Sequence, residues 1–415
     1  MHLRVTTAGE SHGKGLIAVI EGLPAGLPVR ADDVDRELAR RMQGYGRGAR
    51  MKIERDRVEW LSGVRAGETL GSPVAMLIAN RDWSNWEDVM AAEGTPGDLR
   101  RRRVSRPRPG HADLAGVLKY DRLDARDILE RASARETAAR VAAGALARRL
   151  LEEFGIEIGS HVVSLGGIRA AAPAELPWPL DEVADRSEVR TLDAAADARI
   201  MARIDAAKQA GDTLGGEVEI VARGLPVGLG SHVSWDRKLD GRLAGALMSL
   251  PAVKAVEVGL GVEAARRPGS EVHDAVDAAP GMTPPAGESR GGVRRRSNRA
   301  GGLEGGITTG EPLVLRVAMK PIATLMSPLP TVDLRTGAAA NAQSERSDVT
   351  AVPALGVIAE AAVAIVLADA MLEKFGGDSL GEMRRNVTGY LDALGARWIA
   401  RRGSETAAVR DVESG

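Results

Sequence analysis

Gly9-Glu10-Ser11-His12-Gly13 sets a carboxylate, a hydroxyl and a histidine between two glycines, close behind a strand-like start. Four more segments mix glycine, arginine and an acid or base: Arg41 to Met51 (RMQGYGRGARM), Arg106 to Asp113 (RPRPGHAD), Arg131 to Thr137 (RASARET) and Arg346 to Asp348 (RSD). Free imidazole titrates near ~6.5, so His12 and His111 are the natural proton donors at neutral pH. Guanidinium forks hold phosphate and carboxylate in bidentate fashion. Gly44, Gly46 and Gly48 let the backbone beside Arg41, Arg47 and Arg50 come close to such a ligand. Pro107 and Pro109 stiffen the loop that presents Arg108 and His111, and Asp113 stands where it can orient the imidazole. Ser133 and Thr137 are one helical turn apart, as are Arg131 and Arg135. Together these segments imply a site that holds a polyanion and moves protons. Arg100 to Arg103 is an uninterrupted charge run and reads as solvated surface. His2, His161, His232 and His273 lack comparable context and read as structural. No His/Asp/Glu spacing resembles a metal site. Gly44 and Gly46 follow a helix instead of a strand, so they fail the context of a dinucleotide fingerprint.

The elements that position these residues are legible in outline. The chain has 415 residues, 44% of them hydrophobic, which is enough for one large or two ordinary domains with ample core. A net charge of -1 and an aromatic content of 3% argue against nucleic acid as a partner. With no cysteine, thiolate catalysis and disulfides are excluded. Glu10, His12 and Lys14 interrupt any apolar core of a signal peptide, so a cytoplasmic protein is the expectation. The apolar run Val352 to Leu372 contains Glu360 and Asp369 and reads as a buried helix instead of a membrane span.

Helices are predicted over 128–154 (closed by Gly155), 195–210, 237–250 and 353–375 (closed by Gly376). Strands are predicted over 16–21, 74–79, 217–222, 253–258 and 313–317. The stretch 170–187 reads as a surface excursion, 266–292 as a long mobile loop and 401–415 as a disordered tail. Gly22 to Leu27 (GLPAGL) and Gly224 to Leu229 (GLPVGL) differ at one position, and each lies between a strand and a helix. This echo implies an α+β fold of two related halves, roughly 1–155 and 156–400, packed as one unit.

Taken in order, the motifs GESHG, RMQGYGRGARM, RPGHAD, LERASARETAARVAAG, DTLGG, NRAGGLEGG, MKPIAT, RSDV and EKFGGDS resemble the bacterial chorismate synthase family over nearly the whole chain. The resemblance implies a β-α-β sandwich, a homotetramer and an elimination that converts 5-enolpyruvylshikimate 3-phosphate to chorismate and phosphate. That reaction requires reduced FMN, with no net redox change. It also implies that Ser11, His12, Arg41, Arg47, Arg50, Arg108, Arg135 and Arg346 bind the substrate, and that His12 protonates the departing phosphate. His111 would protonate the reduced flavin, and Asp348 would assist transfer of the substrate C6 hydrogen. The implied FMN contacts are Arg131, Ala132, Ser133, Pro251, Ala252, Gly305, Arg346 and the run Lys320, Pro321, Ile322, Ala323 and Thr324. The family also credits Arg41 and Arg47 with NADP, although a substrate anion is the better physical account for a monofunctional enzyme. Pro251 and Ser347 depart from the residues common in the family. Two rivals from other classes are a polyanion-binding protein and an NADPH-dependent flavin reductase. No added segment supplies the latter, so an external source of reduced flavin is expected.

Overall fold

Strand β2 (Gly15–Glu21) buries Leu16, Ala18 and Ile20 and exposes Ile17 and Glu21, the alternation of a sheet covered on one face. A computed structural model describes residues 2–48, 55–94, 102–278, 293–344 and 348–394. In its first half, β2 joins β1 (Arg4–Ala8), β3 (Val58–Ser62) and β4 (Val74–Ala79) in an antiparallel sheet of order β1-β2-β4-β3. In the second half, β5 (Glu157–Leu165), β6 (Ile168–Arg169), β7 (Gly216–Arg223), β8 (Val253–Val258) and β9 (Leu313–Met319) form a sheet of order β8-β9-β7-β5-β6. Apart from β6, the two sheets repeat one pattern.

The connections repeat as well. The Gly22–Leu27 turn leads to helix α1 (Ala31–Met42), and the Gly224–Leu229 turn leads to α6 (Leu239–Met248). Each turn is pinned by one threonine. Thr69 Oγ1 donates to the Pro24 carbonyl (2.6 Å) and accepts from Leu27 N (3.0 Å). Thr308 Oγ1 donates to the Pro226 carbonyl (2.7 Å) and accepts from Leu229 N (2.8 Å). We infer from this shared detail that the chain is a duplicated unit divided near Gly155.

The remaining helices are α2 (Asp113–Lys119), α3 (Arg126–Ala132), α4 (Thr137–Glu152), α5 (Ala194–Ala210) and α7 (Val352–Phe375). Helix α4 packs on β2 and α1, and α7 packs on β5, β7 and α6. The two face each other, so the helical layer lies between the sheets in an α+β sandwich. They come close because Gly144 has no side chain: a Cβ there would stand 2.4 Å from the Ala361 Cβ. Helix α7 is long and apolar enough to cross a membrane, yet 89% of its most apolar window is buried within the fold. Its Glu360 accepts from Arg40 Nη1 (2.7 Å), Arg148 Nη1 (3.1 Å), Arg190 Nη2 (3.1 Å) and Ser160 Oγ (2.6 Å), which satisfies a carboxylate in the core.

Three expectations need correction. The helix predicted over 128–154 is interrupted at Ser133, whose backbone is extended (φ -64°, ψ 142°) and separates α3 from α4. The stretch 170–187 is not merely a surface excursion: it contains the helix Leu180–Ala184, with Leu180 and Ala184 fully buried. The long loop is tied at its base by strands Val276–Ala278 and Val293–Arg295. Its residues 279–292 and the tail 401–415 lie outside the described residues, as do Arg50, Arg100, Arg101, Arg346 and Ser347.

Candidate active site

The β1–β2 connection turns at Gly9 (φ 106°), where a Cβ would stand 2.3 Å from the Gly15 carbonyl oxygen. This tight return brings Ser11 and His12 over α3, and Ser11 N donates to the Glu130 carbonyl (2.9 Å). His12 then meets the Glu130 carboxylate twice, through its backbone N (2.9 Å) and through Nδ1 (3.0 Å). Glu130 also accepts from Arg126 Nη1 one turn earlier (2.8 Å). The break at Ser133 serves the same corner. Its hydroxyl accepts from Arg135 N (3.3 Å) and donates to Ser11 Oγ (3.2 Å).

A cavity of about 470 Å³ opens beside these residues. It is lined by Ser11, His12, Arg41, Arg47, Arg108, His111, Pro251, Ala252, Lys320 and Asp348, among others. Both central helices begin at it, since Thr137 and Ala351 are in the lining. Two helix N-termini and several guanidiniums give the cavity a field suited to anions.

Asp113 fixes the lining residues Arg108 and His111. It is fully buried and accepts from Arg108 Nε (2.8 Å), while its other oxygen meets His111 Nδ1 (2.5 Å). Burial pushes the Asp113 carboxyl up, but His111 and Arg108 hold it well below the usual carboxylate range. Arg108 Nη1 reaches across to Thr324 Oγ1 (2.9 Å). Lys320 Nζ donates to the Gly110 carbonyl (2.7 Å), and burial with Lys254 nearby lowers its pKa. Asp348 accepts from Gly48 N (2.6 Å) and pairs with Arg47 Nη1 (3.2 Å).

Arg41 is the strongest sign of a ligand. Its Nε donates to Thr137 Oγ1 (2.9 Å) and its Nη2 to the Ala134 carbonyl (2.8 Å). Its Nη1 is buried with no hydrogen-bond acceptor among the described residues, and Asp56 Oδ2 lies 3.8 Å away. Burial, followed by the nearby Arg47 and Arg135, brings its pKa down to about 9 against the pull of Asp56. A buried cation short of an acceptor marks where an anion belongs.

Residues 3–372 match the family model described as chorismate synthase. The chain belongs to the chorismate synthase family. Chorismate synthase of Geobacter sulfurreducens is 58% identical over 397 residues, covering 95% of this chain and all of that one. Those of Thermobifida fusca and Streptomyces coelicolor are 55% and 58% identical, covering 94% and 95% of this chain and 99% of each relative. A crystal structure of a chorismate synthase superposes with a TM-score of 0.74 at 43% identity, over 95% of this chain and 98% of that chain.

The residues implied by the chorismate synthase resemblance fall into three groups. Ala132, Ser133, Ile322, Ala323 and Thr324 join those already named in the lining. Ala252 adopts a left-handed backbone (φ 67°), and its carbonyl accepts from Lys320 N (2.9 Å), which fixes one corner to the other. Arg131, Arg135, Gly305 and Pro321 are not in the lining. Arg131 donates to the Thr7 carbonyl (2.9 Å) and the Gly9 carbonyl (3.2 Å). Arg135 is committed to Asp56 (2.6 Å) and Asn80 (2.8 Å), close enough to Arg41 to lower its pKa. Gly305 turns the hairpin between Leu303–Glu304 and Ile307–Thr308. Arg50 and Arg346 lie outside the described residues.

Sequence reasoning missed the apolar wall of Leu129, Leu250, Met319, Leu355 and Ile358. No signal in those residues separates them from core. Arg102 is exposed, as expected of the charge run, and its guanidinium also lies 4.3 Å from the centre of the Trp86 ring.

Proposed function

We propose that this chain catalyses the chorismate synthase reaction: elimination of phosphate from 5-enolpyruvylshikimate 3-phosphate to give chorismate, the last common step of the shikimate pathway. The single observation that carries this reading is the Arg41 guanidinium, buried in the lining with one nitrogen lacking an acceptor among the described residues. A substrate with one phosphate and two carboxylates supplies an acceptor for Arg41 and anionic charge for the neighbouring Arg47 and Arg108. In the reaction the C–O bond to phosphate breaks, the C6 hydrogen leaves and a new C=C bond forms. His12 protonates the departing phosphate, because neutralising its charge makes it a better leaving group. Asp348, paired with Arg47, is a lining carboxylate able to take a proton. His111, with Nδ1 on Asp113, offers its other nitrogen for proton exchange.

The lining suits FMN, since it combines an apolar wall with cationic groups and the hydroxyls of Ser133 and Thr324. Ala132, Ser133, Pro251, Ala252 and the residues Lys320, Ile322, Ala323 and Thr324 would hold it. When bound in reduced form, FMN supplies electron density reversibly to the substrate with no net redox change. The reading includes reduced flavin supplied from outside the chain. It also includes a homotetramer, as the family resemblance implies.

The test is an anaerobic mixture of protein, dithionite-reduced FMN and substrate, followed by chorismate absorbance. Turnover is expected with wild type, and a loss of roughly 10²–10⁴-fold with His12→Ala or His111→Ala. No chorismate from the folded wild type would overturn the reading.

A further inference from the structure

His12 does not stand alone at the cavity edge. Its Nδ1 meets both Glu130 oxygens at 3.0 Å, and its ring stacks on Trp86 with centroids 4.0 Å apart and planes 29° apart. Trp86 is itself held by Asp82, which accepts from the indole Nε1 (2.9 Å), and by the Arg102 and Arg126 guanidiniums over its ring (4.3 and 4.9 Å). Glu130 is 3% exposed and is fixed by Arg126 Nη1 and by the His12 backbone N. We propose that Glu130 is a positioning residue for His12, which forces the neutral ring into the Nδ1–H tautomer and turns Nε2 to the cavity as the nitrogen that handles the proton.

Donors and acceptors around the ring decide the tautomer. Burial pushes the Glu130 carboxyl up, but His12 and Arg126 draw it below its ordinary value, so at neutral pH it is an acceptor only. An acceptor at both oxygens requires the hydrogen on Nδ1. Arg126 prevents the carboxylate from turning away, and Trp86 prevents the ring from rotating. The second dyad, His111 on Asp113, is built alike: a buried carboxylate holds Nδ1 and an arginine, here Arg108, locks the carboxylate. A histidine held in the wrong tautomer can keep its place and still lose most of its turnover.

This inference rests on the proposed proton transfer by His12 only for its kinetic consequence. The test is ring-¹⁵N NMR of the full chain labelled at histidine, with His12 assigned by the signal lost in His12→Asn. Neutral His12 is expected as the Nδ1–H tautomer in wild type. Glu130→Gln can donate to Nδ1, so it should move the population toward Nε2–H. It should also lower kcat at least tenfold, with KM within about threefold. An Nε2–H tautomer in wild type overturns the proposal, whether or not Glu130→Gln folds. An unchanged tautomer in folded Glu130→Gln overturns it as well. A shifted tautomer with unchanged kcat supports the positioning role and instead removes His12 from the reaction.

Discussion

Arg41 and its neighbour Arg40 leave α1 in different directions and meet opposite fates. Arg40 is neutralised by Glu37, Asp185 and Glu360 in the core, whereas Arg41 enters the cavity with one nitrogen lacking an acceptor among the described residues. Removing a buried cation that is poorly compensated costs the free protein little, because the desolvation penalty goes with it. Removing it from a complex forfeits a charge-assisted hydrogen bond of ~1.5–3 kcal/mol. Arg41→Met is therefore expected to keep or raise the melting temperature while weakening substrate binding about tenfold or more. Thermal unfolding and a substrate titration check the two halves of this statement. A large loss of stability with unchanged affinity would make Arg41 a scaffold residue.

At the scale of elements, the approach of α4 to α7 depends on Gly144. Gly144→Ala would set a Cβ 2.4 Å from the Ala361 Cβ and 2.6 Å from its Cα, contacts that no rotamer change relieves. It is expected to cost about 1–3 kcal/mol in urea unfolding. A neutral result would mean that the helices can slide apart freely. Elements with a plain period were legible in the sequence. The bounds of β4 and β8 match those expected, and α5 and α7 begin one residue early. Strand β5 was not legible: Gly159, Ser160, His161 and Ser164 spoil its alternation, and its form comes from pairing with β7. The break at Ser133 was missed for a related reason. Apolar periodicity continues through it, and the extended backbone is rewarded by the hydroxyl's bonds to Arg135 N and to Ser11 in a distant loop. In the site, histidines and arginines flanked by glycine were visible as chemistry. Glu130 was not singled out, because an acid beside arginines on a helix reads as an ordinary surface pair.

The whole molecule carries its buried charge unevenly between pH extremes. For Asp113, Glu130, Glu219 and Glu360, burial raises the carboxyl pKa, yet the facing histidines and arginines bring each below its ordinary value. A carboxyl depressed by folding stabilises fully above its unfolded pKa, near ~4, and that contribution disappears as pH falls through the folded value. Asp181 acts in the opposite sense, since burial raises it despite Arg148. Four groups against one make stability fall with acid. Denaturant unfolding followed by tryptophan fluorescence should give a flat stability from about pH 7 to 5 and a steep loss below about 4. Constant stability down to pH 3 would contradict the charge arrangement.

The cavity lies on the seam between the halves: Ser11, Arg41 and Thr137 belong to one, and Ala252, Lys320 and Ala351 to the other. Neither half alone owns the ligand's contacts. Whatever binds there is therefore mortar as well as reactant. At a hundredfold excess over its dissociation constant, a bound molecule adds about 2.7 kcal/mol to the native state. Here that gain falls on the joint between the two sheet-bearing halves, where α4, α7 and the ions around Glu360 also meet. A cell that starves this protein of its small molecules would weaken its architecture along with its turnover.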